Sequence, residues 1–197
     1  ALATELTQAR LLSAENRFVD ALGHFVTVEK SGNERLAAQA IFYHTNAGLA
    51  AGAISPSQAI EQFERLRFRW RGDGLELKTL RKLASLYFDH GQWRDGLRTL
   101  RIVTQNFKEQ DATRVAQDDM RAAFVNLFLK GGADKMKPVD ALALFYDNLD
   151  LPPVGPDGDE MIRRMSDRRV AVDRLARAAT LLAYQVDKRL EGIAKAQ

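Results

Sequence analysis

Apolar residues recur at three- and four-residue spacings along almost the whole chain, the period of one helical face. Alternating β-branched runs, the mark of half-buried strands, are nearly absent. Helix starts are plain. Ser55-Pro56 sets a capping hydroxyl before a proline at the first helical position. Asp157 and Glu160 have capping-box-like spacing ahead of Met161 and Ile162. Pro138 opens a run through Ala141, Leu142 and Phe145. Stops fall at Ser31-Gly32-Asn33, Gly72-Asp73-Gly74, Gly131-Gly132 and the proline-rich stretch 151–156. The pattern predicts ten helices, at about 2–13, 15–30, 34–51, 56–70, 75–90, 93–108, 111–130, 138–149, 158–169 and 171–189.

A repeat underlies them. A small residue followed four later by a large apolar one occurs at Ala21/Phe25, Ala59/Phe63, Gly96/Leu100, Ala141/Phe145 and Ala178/Leu182. The successive spacings are 38, 37, 45 and 37 residues. Twelve residues ahead of the small site stands another, at Ala9, Ala47, Ala84 and Ser166. The fourth unit has Leu129 there, and an insertion around 130–137 accounts for its longer spacing. Two helices cross closely where one side is small, and a large side chain one turn on fills the groove beside the crossing. One hairpin cannot bury both its faces, so hairpins stack. A compact bundle in which the spacing is coincidental is the alternative.

The third unit carries a recognisable pattern. Leu80, Leu83, Ala84 and Tyr87, then Gly91, Trp93, Gly96 and Leu100, resemble the tetratricopeptide repeat (TPR). Gly96 and Leu100 are smaller than the family's Ala and Phe, and Lys108 stands near the place of its terminal proline. The other units match at the small and large sites. The resemblance implies an all-α, right-handed superhelix of about five antiparallel hairpins, with units at about 1–32, 33–72, 73–109, 110–150 and 157–190. It implies no β-sheet. It also implies a non-catalytic interaction or scaffold module that holds a peptide or partner subunit in a concave groove. Related α-solenoids of similar period remain an alternative.

Composition bounds the chemistry. The chain has 197 residues and no cysteine, which excludes disulfides, thiol nucleophiles and cysteine-ligated metals. Hydrolase, metalloprotease, phosphate-loop and dinucleotide motifs are missing, so neither an enzyme nor a cofactor is expected. His24, His44 and His90 are far apart in sequence and no metal site is expected. His90 precedes Gly91 at a helix end, where a cation meets the helix dipole favourably. No apolar run is long enough for a membrane span. The first residue is Ala, and the last predicted helix is still apolar, so the chain is expected to be part of a longer protein. Residues 189–197 read as the start of a further helix. Neither cytoplasm nor periplasm is favoured.

The resemblance implies groove positions at Arg10, at Ile41 and His44, at Lys78, Arg81, Ser85 and Phe88, and at Glu160, Arg163 and Asp167. The family's carboxylate clamp needs paired asparagines, where this chain has Gly48 and Ser85. Equally, Lys78 and Arg81 read as solvated helix charges. Charge itself is uneven. The chain's formal net charge is +3. Residues 65–101 hold ten basic side chains (Arg65, Arg67, Arg69, Arg71, Lys78, Arg81, Lys82, Arg94, Arg98 and Arg101) against four acids. Arginines interleaved with Phe68 and Trp70 could stack single-stranded bases, which makes nucleic acid a second class of partner. The competing view has Leu66 and Trp70 facing the core under arginine stems. A scaffold segment of a larger enzyme is a third reading, and self-association stays open.

Overall fold

The computed structural model describes residues 1–107 and 110–195, with side chains through residue 187 except residue 110. Its helices are α1 (Leu2–Ala14), α2 (Phe18–Glu29), α3 (Glu34–Ala50), α4 (Pro56–Arg69), α5 (Gly74–Asp89), α6 (Trp93–Asn106), α7 (Gln110–Phe128), α8 (Pro138–Tyr146) and α9 (Pro156–Lys195). One 3-10 turn covers Gly132–Lys135, and no strand occurs among the described residues. Lys108, at the place of the family's terminal proline, lies outside them, as does Gln197.

Local chemistry sets the ends. The Asn33 side chain accepts from the Leu36 amide at 3.0 Å. Ser55 and Gln58 form a reciprocal capping box, each side chain accepting from the other's amide, at 3.2 and 2.7 Å. Seven connections each contain one residue in the left-handed region: Asn16, Gly32, Gly52, Gly72, Gly91, Gly131 and Gly155. At Gly91, with φ 71°, the chain leaves α5 as the Gln92 amide donates back to the Tyr87 carbonyl at 2.8 Å. His90 caps that end, its ring Nδ1 2.8 Å from the Leu86 carbonyl oxygen.

The helices expected at 158–169 and 171–189 are one helix, α9. The physical reason is local. Residues 166–173 read Ser-Asp-Arg-Arg-Val-Ala-Val-Asp, with no glycine, asparagine or proline to reverse the chain. The fifth hairpin is therefore not formed.

The chain divides into two compact units, residues 1–120 and residues from 121 on, with the division inside α7. In the first unit each of α1 to α5 packs on the next. Leu6, Ala9, Leu12, Ala21, Phe25, Val28 and Ala40 form one apolar cluster. Ala38, Phe42, Ala59, Phe63, Leu66, Leu83, Leu86 and Tyr87 form the second. The Tyr87 hydroxyl donates to Glu64 Oε1 at 2.6 Å, tying α5 to α4. Burial, with that carboxylate beside it, pushes the phenol pKa well up.

Both small/large sites of these clusters, Ala21/Phe25 and Ala59/Phe63, are fully buried. At Gly96 the space of a Cβ is filled by the Phe88 ring, so an added methyl would clash with it. Phe88 also packs on Trp93, with ring centroids 5.7 Å apart.

In the second unit Phe124, Phe128 and Phe145 meet at centroid distances of 4.6 to 5.6 Å. Met161 and Met165 of α9 are buried as well. Arg164 donates to the Leu129 carbonyl at 3.0 Å and Arg168 to the Ala133 carbonyl at 2.9 Å. Arg164 thus meets a carbonyl that the end of α7 leaves free, and Arg168 one in the 3-10 turn that also accepts from the Met136 amide.

Leu100→Ala removes a buried large side chain and should cost about 2–5 kcal/mol in a denaturant melt. A wild-type melt would refute the repeat register. Gly96→Ala, ordinarily worth about 0.5–1 kcal/mol in a helix interior, should instead destabilise by about 1–3 kcal/mol. That penalty should vanish in a Phe88→Ala background, as a double-mutant cycle would show.

Candidate ligand-binding recess

The first helices of three successive hairpins, α1, α3 and α5, share an open recess of about 380 Å³. Arg10 comes from α1, and Arg35, Gln39 and Tyr43 from α3. Asp73, Gly74, Leu75 and Lys78 close it at the start of α5. Helical spacing aligns the α3 trio, since positions four apart share a face. The Arg10 guanidinium lies over the Tyr43 ring, 4.2 Å from its centroid, which orients the cation.

Asp73 is the N-cap of α5. Its Oδ1 accepts from the Leu75 amide at 2.9 Å and the Glu76 amide at 3.4 Å. Burial pushes this carboxyl's pKa up, but the Trp70 indole, those two amides and the Arg35 charge outweigh it and hold it below the ordinary value. The Trp70 N–H acts on it electrostatically without closing a hydrogen bond of standard geometry. With Asp73 engaged in capping, the recess presents Arg10, Arg35 and Lys78 against a single acid. Such a surface favours a carboxylate-bearing ligand.

The residues anticipated for a groove separate. Arg10 and Lys78 come together in this recess. Ser85 is exposed on α5. Arg81 is held by Asp119 of α7, with Nε–Oδ2 at 2.7 Å and Nη2–Oδ1 at 3.3 Å. Ile41 packs against the second apolar cluster instead. His44 turns toward α2, stacked on Phe25 at 5.4 Å with Nδ1 2.7 Å from Glu29. Phe88 is spent filling the gap at Gly96.

The α3 face toward the recess runs through Arg35, Gln39 and Tyr43, two residues out of phase with Ile41. The four-residue spacing of that trio was the available signal. In the second unit Arg163 is exposed and bonded along its own helix, to Glu160 at 2.8 Å and Asp167 at 3.1 Å. Hydrogen bonds from Arg163 and then Arg164 lower the Glu160 pKa to about 2.

The 65–101 basic stretch is largely neutralised. Arg65 pairs with Glu61 at 2.5 Å, Arg67 with Glu64 at 2.6 Å, Arg69 with Glu34 at 3.1 Å and Arg98 with Asp95 at 2.6 Å. Arg94 and Arg101 also have interaction partners. Arg67 and Arg71 flank the exposed Phe68 ring at 4.7 and 5.5 Å. Leu66 is buried and Trp70 packs on the core. His24 pairs with Glu5 at 2.5 Å. Among the described residues no group of three acids or histidines could hold a metal ion, and no helix is long and apolar enough to cross a membrane.

Comparison with known proteins agrees with this architecture. Two crystal structures of a Podosopora anserina protein, described as a kinesin light chain with nearly identical TPR-like repeats, resemble the chain at 16% identity and a TM-score of 0.50. They cover 93% and 92% of this chain, and 92% and 91% of their own. No protein-family model and no curated protein matches it. The chain thus has an all-α fold of TPR-like helical repeats.

The lowered Asp73 pKa has a testable consequence. A carboxyl whose folded pKa lies below its unfolded 3.8 adds stability above that pH, and the gain is lost as pH falls through the folded value. Asp73→Ala should cost about 0.5–2 kcal/mol at neutral pH. The gap to wild type should close as urea melts are taken below pH 3.8.

Proposed function

We propose that the chain is a non-catalytic interaction module whose α1/α3/α5 recess takes an acidic segment of a partner protein. One observation carries this reading: Arg10, Arg35 and Lys78, from three successive first helices, converge with Tyr43 on one recess. Surface cations without ion partners are the ones able to exchange water for a ligand carboxylate, and charge-assisted bonds of that kind are worth about 1.5–3 kcal/mol each. Binding through the 65–101 stretch to nucleic acid has less support. Four of its arginines already face carboxylates on α3, α4 and α6, and a bound strand would have to displace them. A role as scaffold segment of a larger enzyme is compatible with the same recess and differs only in where the partner lies.

Selection from a random peptide display library tests the recess. Recovered peptides should be rich in Asp and Glu, and Arg35→Glu/Lys78→Glu should weaken them at least about ten-fold, or 1.4 kcal/mol. Arg65→Glu/Arg98→Glu should leave their affinity unchanged. Equal loss from both pairs, or tighter binding of single-stranded oligonucleotides than of any peptide, would overturn the assignment.

A further inference from the structure

The α1/α3/α5 recess carries more positive charge than one carboxylate neutralises. Arg10, Arg35 and Lys78 stand against Asp73 alone, three positive charges to one negative. Asp73 is committed to capping α5, its Oδ1 accepting from the Leu75 and Glu76 amides. Arg10 keeps its full charge for a ligand, because its neighbour is the neutral Tyr43 ring rather than an acid. Elsewhere in the same unit Arg65, Arg67, Arg69 and Arg81 each face a carboxylate.

The three cations come from three helices, so an anion in the recess meets donors from three sides. A carboxylate has two oxygens in one plane and suits a single fork of donors. Two adjacent carboxylates of an extended segment do not combine there, since successive side chains point to opposite faces. A phosphorylated side chain brings about −1.5 to −2 charge and three acceptor oxygens to one point. Gln39, on the α3 wall, adds a neutral amide able to donate. Tyr43, the one ring of the lining, is engaged with Arg10, so a short aliphatic stem fits better than an aromatic one. Gly74 leaves room at the α5 wall. Its φ is outside the left-handed region and an added Cβ would meet nothing, so neither the turn nor the packing calls for glycine.

We propose that the recess selects a phosphoserine or phosphothreonine within the acidic segment of its partner protein. The inference rests on the recess being the binding site argued above. Arg10, Arg35 and Lys78 take the phosphoryl oxygens, and the open wall at Gly74 admits the group beside them.

Two pools of short peptides with random flanks test it, one with phosphoserine and one with glutamate at the centre. On the immobilised full chain at about pH 7.5, the phosphoserine pool should be retained at least about ten-fold more strongly. That preference should shrink below about pH 6, where the phosphate takes up its second proton. No histidine lines the recess, so the loss reports on the ligand. Gly74→Leu should abolish the preference without lowering the melting temperature, because the added side chain meets no protein atom at its Cβ. Equal retention of the two pools overturns the phosphate and leaves the acidic-segment reading in place. Retention of neither overturns both. A phosphoserine preference that survives Arg35→Glu/Lys78→Glu puts the phosphate outside the recess and overturns the inference.

Discussion

A small residue opposite a large one, at the crossing of two helices, is the contact on which the rest of the first unit rests. Ala21 and Ala59 let neighbouring backbones approach, and Phe25 and Phe63 fill the groove one turn on. Each filled crossing leaves the far side of its helix apolar, and the next helix covers it. Hence Ala40 of α3 joins the first cluster while Ala38 joins the second. Gly96 shows how strict the contact is. Where the small residue loses even its Cβ, Phe88 moves into the space and the hairpin stays close-packed.

Polar groups then act at the edges of this packing. Tyr87 reaches Glu64, and Glu64 also accepts from Arg67, so one carboxylate links α4 to α5 and neutralises part of the basic stretch. Arg69 to Glu34 joins α4 to α3, and Arg81 to Asp119 joins α5 to α7. Exposed pairs of this kind add little stability individually. Their larger effect is on recognition, because an arginine already facing a carboxylate offers a weaker field to an incoming anion. That leaves the recess at the first-helix face as the place where cations gather around a single, occupied acid.

The second unit shows the same rule incomplete. The Phe124, Phe128 and Phe145 core is closed, and Arg164 and Arg168 hold the carbonyls after α7. Beyond residue 170 the helix continues with Leu175, Ala178 and Leu182 exposed.

Periodicity alone was enough for the helical class, most helix limits and the small/large register at four of five sites, because each depends on residues within one or two turns of each other. The departures have the same physical origin. Whether 158–189 bends into a hairpin was undecidable from apolar spacing, since the pattern suits either form and only the missing turn residues separate them. Arg10 and Lys78 could be named from the chain, but that they share a recess with Arg35 and Tyr43 came only from the fold. That Ile41, His44 and Phe88 pack on neighbouring side chains was likewise settled only in three dimensions, because which face of a helix meets its neighbour depends on the rotation set by the packed stack. The charge of the 65–101 stretch was countable from the chain. Its neutralisation was settled only in three dimensions, where Glu34 is brought beside Arg69 from 35 residues away.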